Sequence, residues 1–249
     1  KLAERGAIKT GDPINVVVPT GNFGNILAAY YAKQMGVPID KLICASNKNK
    51  VLTDFINTGV YNIDREFYLT NSPSMDILIS SNLERLLFEL FGRDASRVRE
   101  CMDGLKKEGG YSINPSLRER LIEKERFWGA YCTEREVFDT IKSVYEQYGR
   151  VIDPHTAVAA GVYQKYLNQT AEEIPTVIVS TASAFKFPAS VLEAITGKKA
   201  AEFEAVEALE KLGAAAPSSI KELSGRAVIH SGVCAKEEMP RIVLEFAAK

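Results

Sequence analysis

The chain predicts an α/β fold, a three-layer α/β/α arrangement around a mostly parallel sheet, and three observations carry that prediction. Short apolar runs alternate with helix-period segments through residues 14–196. The run Val16-Val17-Val18 leads into a glycine-bearing turn, Pro19-Thr20-Gly21-Asn22-Phe23-Gly24, and helical periodicity resumes at Ile26. A second apolar run at residues 176–180 is followed directly by Thr181-Ala182-Ser183. Parallel strands need crossover connections, usually helices, so strand-then-helix order puts the sheet between two helical layers.

The elements follow in order. Residues 1–13 read as the end of a helix. Three consecutive β-branched residues at 16–18 mark a strand buried on both faces, and the helix after it ends at Gly36-Val37-Pro38, where glycine and proline halt helical geometry. Leu42-Ile43-Cys44-Ala45 is the next strand. Ser72-Pro73 reads as an N-cap and first helical residue, with Met75, Ile79, Leu83, Leu86 and Leu90 forming one apolar stripe up to Gly92. Residues 94–125 are charged and helical, broken at Gly109-Gly110 and restarted at Asn114-Pro115, and read as a peripheral helical insertion. A strand at 127–131 precedes Thr133-Glu134-Arg135-Glu136, a capping box for a helix that stops near Gly149. Asp153-Pro154 starts another helix, and Gly197 closes the one that follows Pro188. Gly213-Ala214-Ala215-Ala216-Pro217-Ser218-Ser219 is linker-like and precedes a small strand and helix. The expected division is an α/β domain over 1–212 and an extension over 213–249 packed on it.

Composition narrows the function classes. Lys plus Arg total 31 against 32 Asp plus Glu, a formal net charge of −1, so the chain lacks the basic footprint of a nucleic-acid or anionic-membrane binder. Apolar residues make up 46%, enough for a real core, while no run approaches the roughly 20 apolar residues that span a bilayer. A cytoplasmic protein is the expectation. Cys44, Cys101, Cys132 and Cys234 are scattered without CxxC spacing, and His155 and His230 are the only imidazoles. No metal site is expected, and the cysteines read as buried thiols.

The turn at Gly21, Asn22, Phe23, Gly24 and Asn25 is the main candidate site. Two glycines let a ligand approach the main chain, and a helix start leaves N–H groups without intrahelical partners beside the positive end of the helix dipole. Such a loop cradles an anion such as a phosphate. The same pattern also fits an ordinary strand-to-helix turn, since it is neither GxGxxG nor GxxxxGK[ST]. Thr181 follows the other apolar strand and falls on the same sheet edge, where ligands of such folds collect. His155 begins a helix near that edge, and Lys186 could assist an anionic substrate. Ser80, Ser81, Asn82 and Arg85 read as the polar face of a packed helix.

The segments PTGNFGNILAAYYAKQMGVPI, SMDILISSNLERLLFEL, IDPHTAVA, STASAFKFP and VCAKEEMPRIVLEFAAK occur in that order. Together they resemble threonine synthase, a pyridoxal-phosphate enzyme that converts O-phosphohomoserine and water to threonine and phosphate. The resemblance spans essentially the whole chain. It implies a tryptophan synthase β-like large domain, fold type II among pyridoxal enzymes, here partial. It implies pyridoxal 5′-phosphate as cofactor, its phosphate held by Gly21, Asn22, Phe23, Gly24 and Asn25, with Thr181 facing the pyridine nitrogen. His155 and Lys186 are the substrate-side candidates. Ser183 stands where many relatives read TAHPAKF, and the departure leaves its role open. Family members are longer and carry the Schiff-base lysine before the glycine loop, so the expectation is a C-terminal portion without that lysine, inactive alone. The missing N-terminal half and a second copy of the chain are then expected partners. Rival readings are another fold type II enzyme, such as a serine or threonine dehydratase or a cysteine synthase, or a non-catalytic threonine synthase-like binding protein.

Overall fold

A computed structural model describes residues 1–248. Val16-Val17-Val18 lie at the centre of strand β1 (Ile14–Pro19), followed by α1 (Gly24–Gln34), β2 (Ile39–Ser46), α2 (Val51–Thr58) and β3 (Val60–Asn62). Next come α3 (Leu83–Leu90), α4 (Ala95–Glu108), β4 (Gly110–Ser112) and α5 (Pro115–Glu119), the last running into a π-helical turn at Arg120–Lys124. The chain continues with β5 (Phe127–Tyr131), α6 (Glu134–Tyr148), α7 (Pro154–Thr170), β6 (Thr176–Ile178), α8 (Pro188–Thr196) and α9 (Glu202–Lys211).

Four strands pair in the order β5-β2-β1-β6, all parallel, with Val16 opposite Leu42 on one side and Val177 on the other. Side chains alternate across a strand, and the alternation separates two layers. Val16, Val18, Leu42, Cys44 and Phe127 join one core cluster with Ile26, Leu27 and Tyr30 of α1 and Phe55 and Ile56 of α2. On the opposite face Trp128 meets Tyr166 of α7 edge-on at 5.1 Å. Helix α7 crosses this second face and touches all four strands. The expected three-layer parallel architecture is therefore present, and the C-terminal ends of its strands share one edge. No helix among the described residues is long and apolar enough to cross a membrane.

Local signals place most boundaries. Thr133 and Glu136 form the capping box of α6, with Thr133 N donating to Glu136 Oε2 at 2.7 Å, and Gly149 stops the helix at φ 61°. Asp153 caps α7 and Pro154 occupies its first position.

Several readings need correction. The single helix expected from Ser72 to Gly92 does not form: Pro73–Met75 is a 3₁₀ turn, and the α-helix begins only at Leu83. Tertiary hydrogen bonds hold the intervening chain. Tyr61 Oη donates to Leu78 O at 2.8 Å and accepts from Ser80 N at 2.8 Å, Ser81 N donates to Asn22, and Asp76 accepts from Asn47, Asn49 and Thr70. Residues 1–7 make turns rather than a helix end, interrupted at Gly6 with φ 70°. Residues 94–125 are not purely helical, because β4 pairs antiparallel with β3 through Tyr61 opposite Tyr111. Helix α2 and strand β3 carry no reading from the sequence.

The chain divides into two compact units, Lys1–Ala215 and the residues from Ala216 onward. The second holds α10 (Ser218–Lys221) and α11 (Met239–Ala247), and no strand forms among its described residues. The apolar pair Val228 and Ile229 finds no neighbouring strand and stays exposed. Cys44, Cys101 and Cys132 are buried as expected; Cys234, in this second unit, is exposed.

Candidate functional site

A cleft of about 300 Å³ lies at the strand ends, where β1, the 72–76 segment, the start of α7 and the segment after β6 converge. Residues 20–25, His155, Thr181 and Lys186 all line it, so the candidates picked from separate parts of the sequence share one site. Its walls carry one ammonium group and no carboxylate, which favours an anionic ligand.

The first wall is built by β1 and α1. Thr20 ends the strand with its N–H on Ala45 O at 2.8 Å and its hydroxyl on Val18 O at 2.7 Å. Gly21 passes so close to the 72–76 segment that a Cβ there would lie 2.9 Å from Met75 Cα and 3.1 Å from Ser74 O. Only glycine fits. Phe23 then takes the N-cap position in the left-handed region at φ 63°, a conformation that costs about 1–2 kcal/mol for a residue with a Cβ. Burial of its ring compensates, stacked on Phe127 at 5.9 Å. Phe23 supplies no side-chain cap, and Leu27 is the first amide of α1 to bond back, to Phe23 O at 3.1 Å. The amides before it present the donor end of the helix to the cleft.

Asn22 fixes this loop from outside. Its Oδ1 accepts from Ser81 N at 2.8 Å and Ser81 Oγ at 2.7 Å, and its carbonyl accepts from Asn82 Nδ2 at 2.8 Å. Ser81 and Asn82 are therefore not the polar face of a helix; they clamp the glycine turn. Sequence reasoning missed this role and that of Ser74. A usable signal was present in Ser80-Ser81-Asn82, three polar residues in succession inside an apolar stripe.

The opposite wall is organised by His155. Ser74 N donates to His155 Nε2 at 3.2 Å, so the ring proton sits on Nδ1, 3.0 Å from Asp153 Oδ1. Phe187 packs on the ring at 5.0 Å. Both nitrogens are engaged, and the imidazole holds the 72–76 segment against the start of α7. Burial alone would raise the Asp153 carboxyl, but hydrogen bonds from His155 and Thr156 outweigh it and hold the group below its ordinary range. Behind the same segment Asn47, fully buried, donates to Asp76 Oδ1 at 2.7 Å.

Thr181 is exposed on the cleft wall, and its hydroxyl has no partner among the described residues. Ser183 Oγ accepts from Phe185 N at 3.3 Å and caps the short turn Ala184–Lys186. Lys186 is exposed, with Nζ 5.8 Å from the Phe187 ring centroid and no carboxylate partner among the described residues. Arg85 is exposed and does not reach the cleft wall.

Comparison with known proteins finds threonine synthases and threonine synthase-like proteins among the relatives. The family described as "Threonine synthase, C-terminal" matches residues 156–227. The human (Homo sapiens) protein named Threonine synthase-like 1 is 44% identical over 199 residues, 80% of this chain and 26% of that protein. The crystal structure of threonine synthase from yeast superposes with a TM-score of 0.82 at 31% identity, covering 95% of this chain and 48% of its own. The structure of PLP-bound threonine synthase from Brucella melitensis gives 0.76 at 37% identity, covering 90% and 44%. The chain spans less than half the length of each of these relatives.

Proposed function

Because the chain belongs to the threonine synthase family, we propose that it forms the phosphate-holding and ring-holding side of an active site that converts O-phospho-L-homoserine and water to L-threonine and phosphate, with pyridoxal 5′-phosphate as cofactor. The observation that carries the reading is the meeting of the glycine turn and Thr181 in one cleft whose walls bear no carboxylate.

The residues present fit that cofactor. Gly21 lets the turn close against residues 72–76, and the uncapped start of α1 suits a phosphate group, which the amides of residues 21–25 would bind. The Thr181 hydroxyl would donate to the pyridine nitrogen, where a neutral donor, unlike a carboxylate, leaves that nitrogen unprotonated. When bound, the cofactor supplies an electron sink for negative charge at the substrate Cα. Asn22, clamped by Ser81 and Asn82, keeps the turn in register, and His155 keeps Ser74 at the cleft rim. Lys186 would draw the substrate's phosphate by its charge. The amine that joins the cofactor and moves protons at Cα and Cβ is assigned to the part of the relatives that this chain does not span.

The 44% identity to human Threonine synthase-like 1 favours a second reading, a family member that binds the cofactor without forming threonine. The test is to assay the full-length protein with O-phosphohomoserine and pyridoxal phosphate. Threonine and phosphate released in equal amounts support the first reading, with Thr181→Val lowering kcat more than it lowers cofactor affinity. Cofactor binding that requires Gly21, without threonine formation, supports the second. The isolated chain is expected to form no threonine.

A further inference from the structure

Thr181 stands in a stretch with little to hold it. Strand β6 makes its last ladder bond at Val179, whose N–H donates to Val17 O at 2.9 Å, and the next backbone-to-backbone bond is Lys186 N to Ser183 O at 3.0 Å. Among the described residues, 180–182 make a single hydrogen bond, between Ser180 Oγ and Thr156 Oγ1 at 3.0 Å. Its surroundings fix its direction. Thr156 Oγ1 donates to Asp153 Oδ2, and an ionised carboxylate only accepts, so the one hydroxyl proton of Thr156 is committed there. Ser180 therefore donates and Thr156 accepts.

The other oxygen of Asp153 accepts from His155 N at 2.9 Å and His155 Nδ1 at 3.0 Å, and His155 Nε2 accepts from Ser74 N. One buried carboxylate thus ties the cleft rim at Ser74 to the strand end at Ser180. Capping α7 needs only the contacts of Asp153 with residues 155 and 156; the bond onward to Ser180 adds nothing to that helix. We propose that Ser180, anchored through Thr156 on Asp153, is a positioning residue that fixes Thr181 on the cleft wall. With the Oγ of its neighbour held, the backbone leading into Thr181 loses freedom. Thr181 is β-branched and stiff at χ1, so its backbone setting decides where its hydroxyl points. What that hydroxyl meets rests on the cofactor reading above, whereas the tether itself does not.

The experiment is nuclear magnetic resonance on the full-length protein carrying methyl-labelled threonine, with the Thr181 signal identified by its loss in Thr181→Val. Without cofactor, Ser180→Ala should lower the order parameter of the Thr181 methyl axis, and Ser180→Thr, which keeps the hydroxyl, should retain the native value. Ser180 is exposed, so the urea midpoint of Ser180→Ala should stay native, which separates positioning from folding. With isotope-labelled pyridoxal phosphate bound, the pyridine-nitrogen chemical shift of Ser180→Ala should move toward that of Thr181→Val. Where the full-length protein forms threonine, kcat should fall about fivefold, the equivalent of one hydrogen bond, with cofactor affinity changed less than about twofold. A pyridine-nitrogen shift that Thr181→Val leaves unmoved would refute the cofactor reading alone, since the methyl signal still reports the tether. A native Thr181 order parameter in Ser180→Ala, or an equal loss in Ser180→Thr, would overturn the proposal.

Discussion

Replacing Gly21 with alanine places a methyl carbon 2.9 Å from Met75 Cα, 3.1 Å from Ser74 O and 3.2 Å from Ile77 Cδ1. The Ile77 side chain can rotate away; the two backbone atoms cannot move without their segment. That segment is held from its far side. Ser74 N bonds His155, Met75 N bonds Ser72 O at 2.9 Å, and Asp76 gathers Asn47, Asn49 and Thr70. Overpacking against an anchored backbone costs about 1–3 kcal/mol, and loss of the Ser74–His155 hydrogen bond adds about 1 kcal/mol. Destabilisation of about 2–3 kcal/mol is therefore expected, read as a lower urea midpoint at unchanged slope. Gly24→Ala is the control, because its Cβ would sit 3.7 Å from Asn82 Nδ2, an ordinary contact. At the first residue of α1, alanine should be neutral or stabilising by a few tenths of a kcal/mol. Phosphate binding by calorimetry supplies the functional readout: Gly21→Ala should weaken it about tenfold or more as the cleft walls separate. A Gly21→Ala protein with the native urea midpoint and native phosphate affinity would refute both the close approach and the cradle built on it.

Other outcomes follow from the same structure. The folded Asp153 carboxyl lies below its ordinary value of 3.8, so it stabilises the fold above that pH and loses its contribution as pH falls through the folded value. His155→Ala removes a hydrogen bond to it and should move the acid-unfolding midpoint, followed by circular dichroism, to higher pH; an unmoved midpoint would count against the coupling. Gly161→Ala would set a Cβ 2.8 Å from Cys132 Sγ and 3.0 Å from Thr140 Oγ1. It should cost about 1–3 kcal/mol in urea unfolding, and adding Cys132→Ala should recover part of that loss. Burial pushes the Cys44 and Cys132 thiols up to about 12, whereas Cys234 is exposed. Iodoacetamide at pH 8 should therefore modify Cys234 and spare Cys44 and Cys132 until denaturant is added, as peptide mass spectrometry would show.

The sequence by itself determined the parts of this protein that depend on neighbouring residues. The β-branched run at 16–18, the capping box at Thr133 and Glu136, Asp153-Pro154 before α7 and the glycines after α6 and α8 each act within a few positions, and the structure places every one of these boundaries where the residues imply. The glycine turn and Thr181 were legible for the same reason, each following directly from an apolar strand in a fold whose strand ends share an edge. Only the tertiary structure decided residues 72–82. Their apolar stripe favours one long helix, but Tyr61, Asn22, Asn47 and His155 bond that segment from sites 17 to 81 residues away in the chain. Long-range partners of this kind leave no periodic trace, since each is a single hydrogen bond between residues that local patterning never brings together. They outweigh the modest helix propensity of a short segment, and in doing so turn Ser81 and Asn82 into the clamp on the glycine turn.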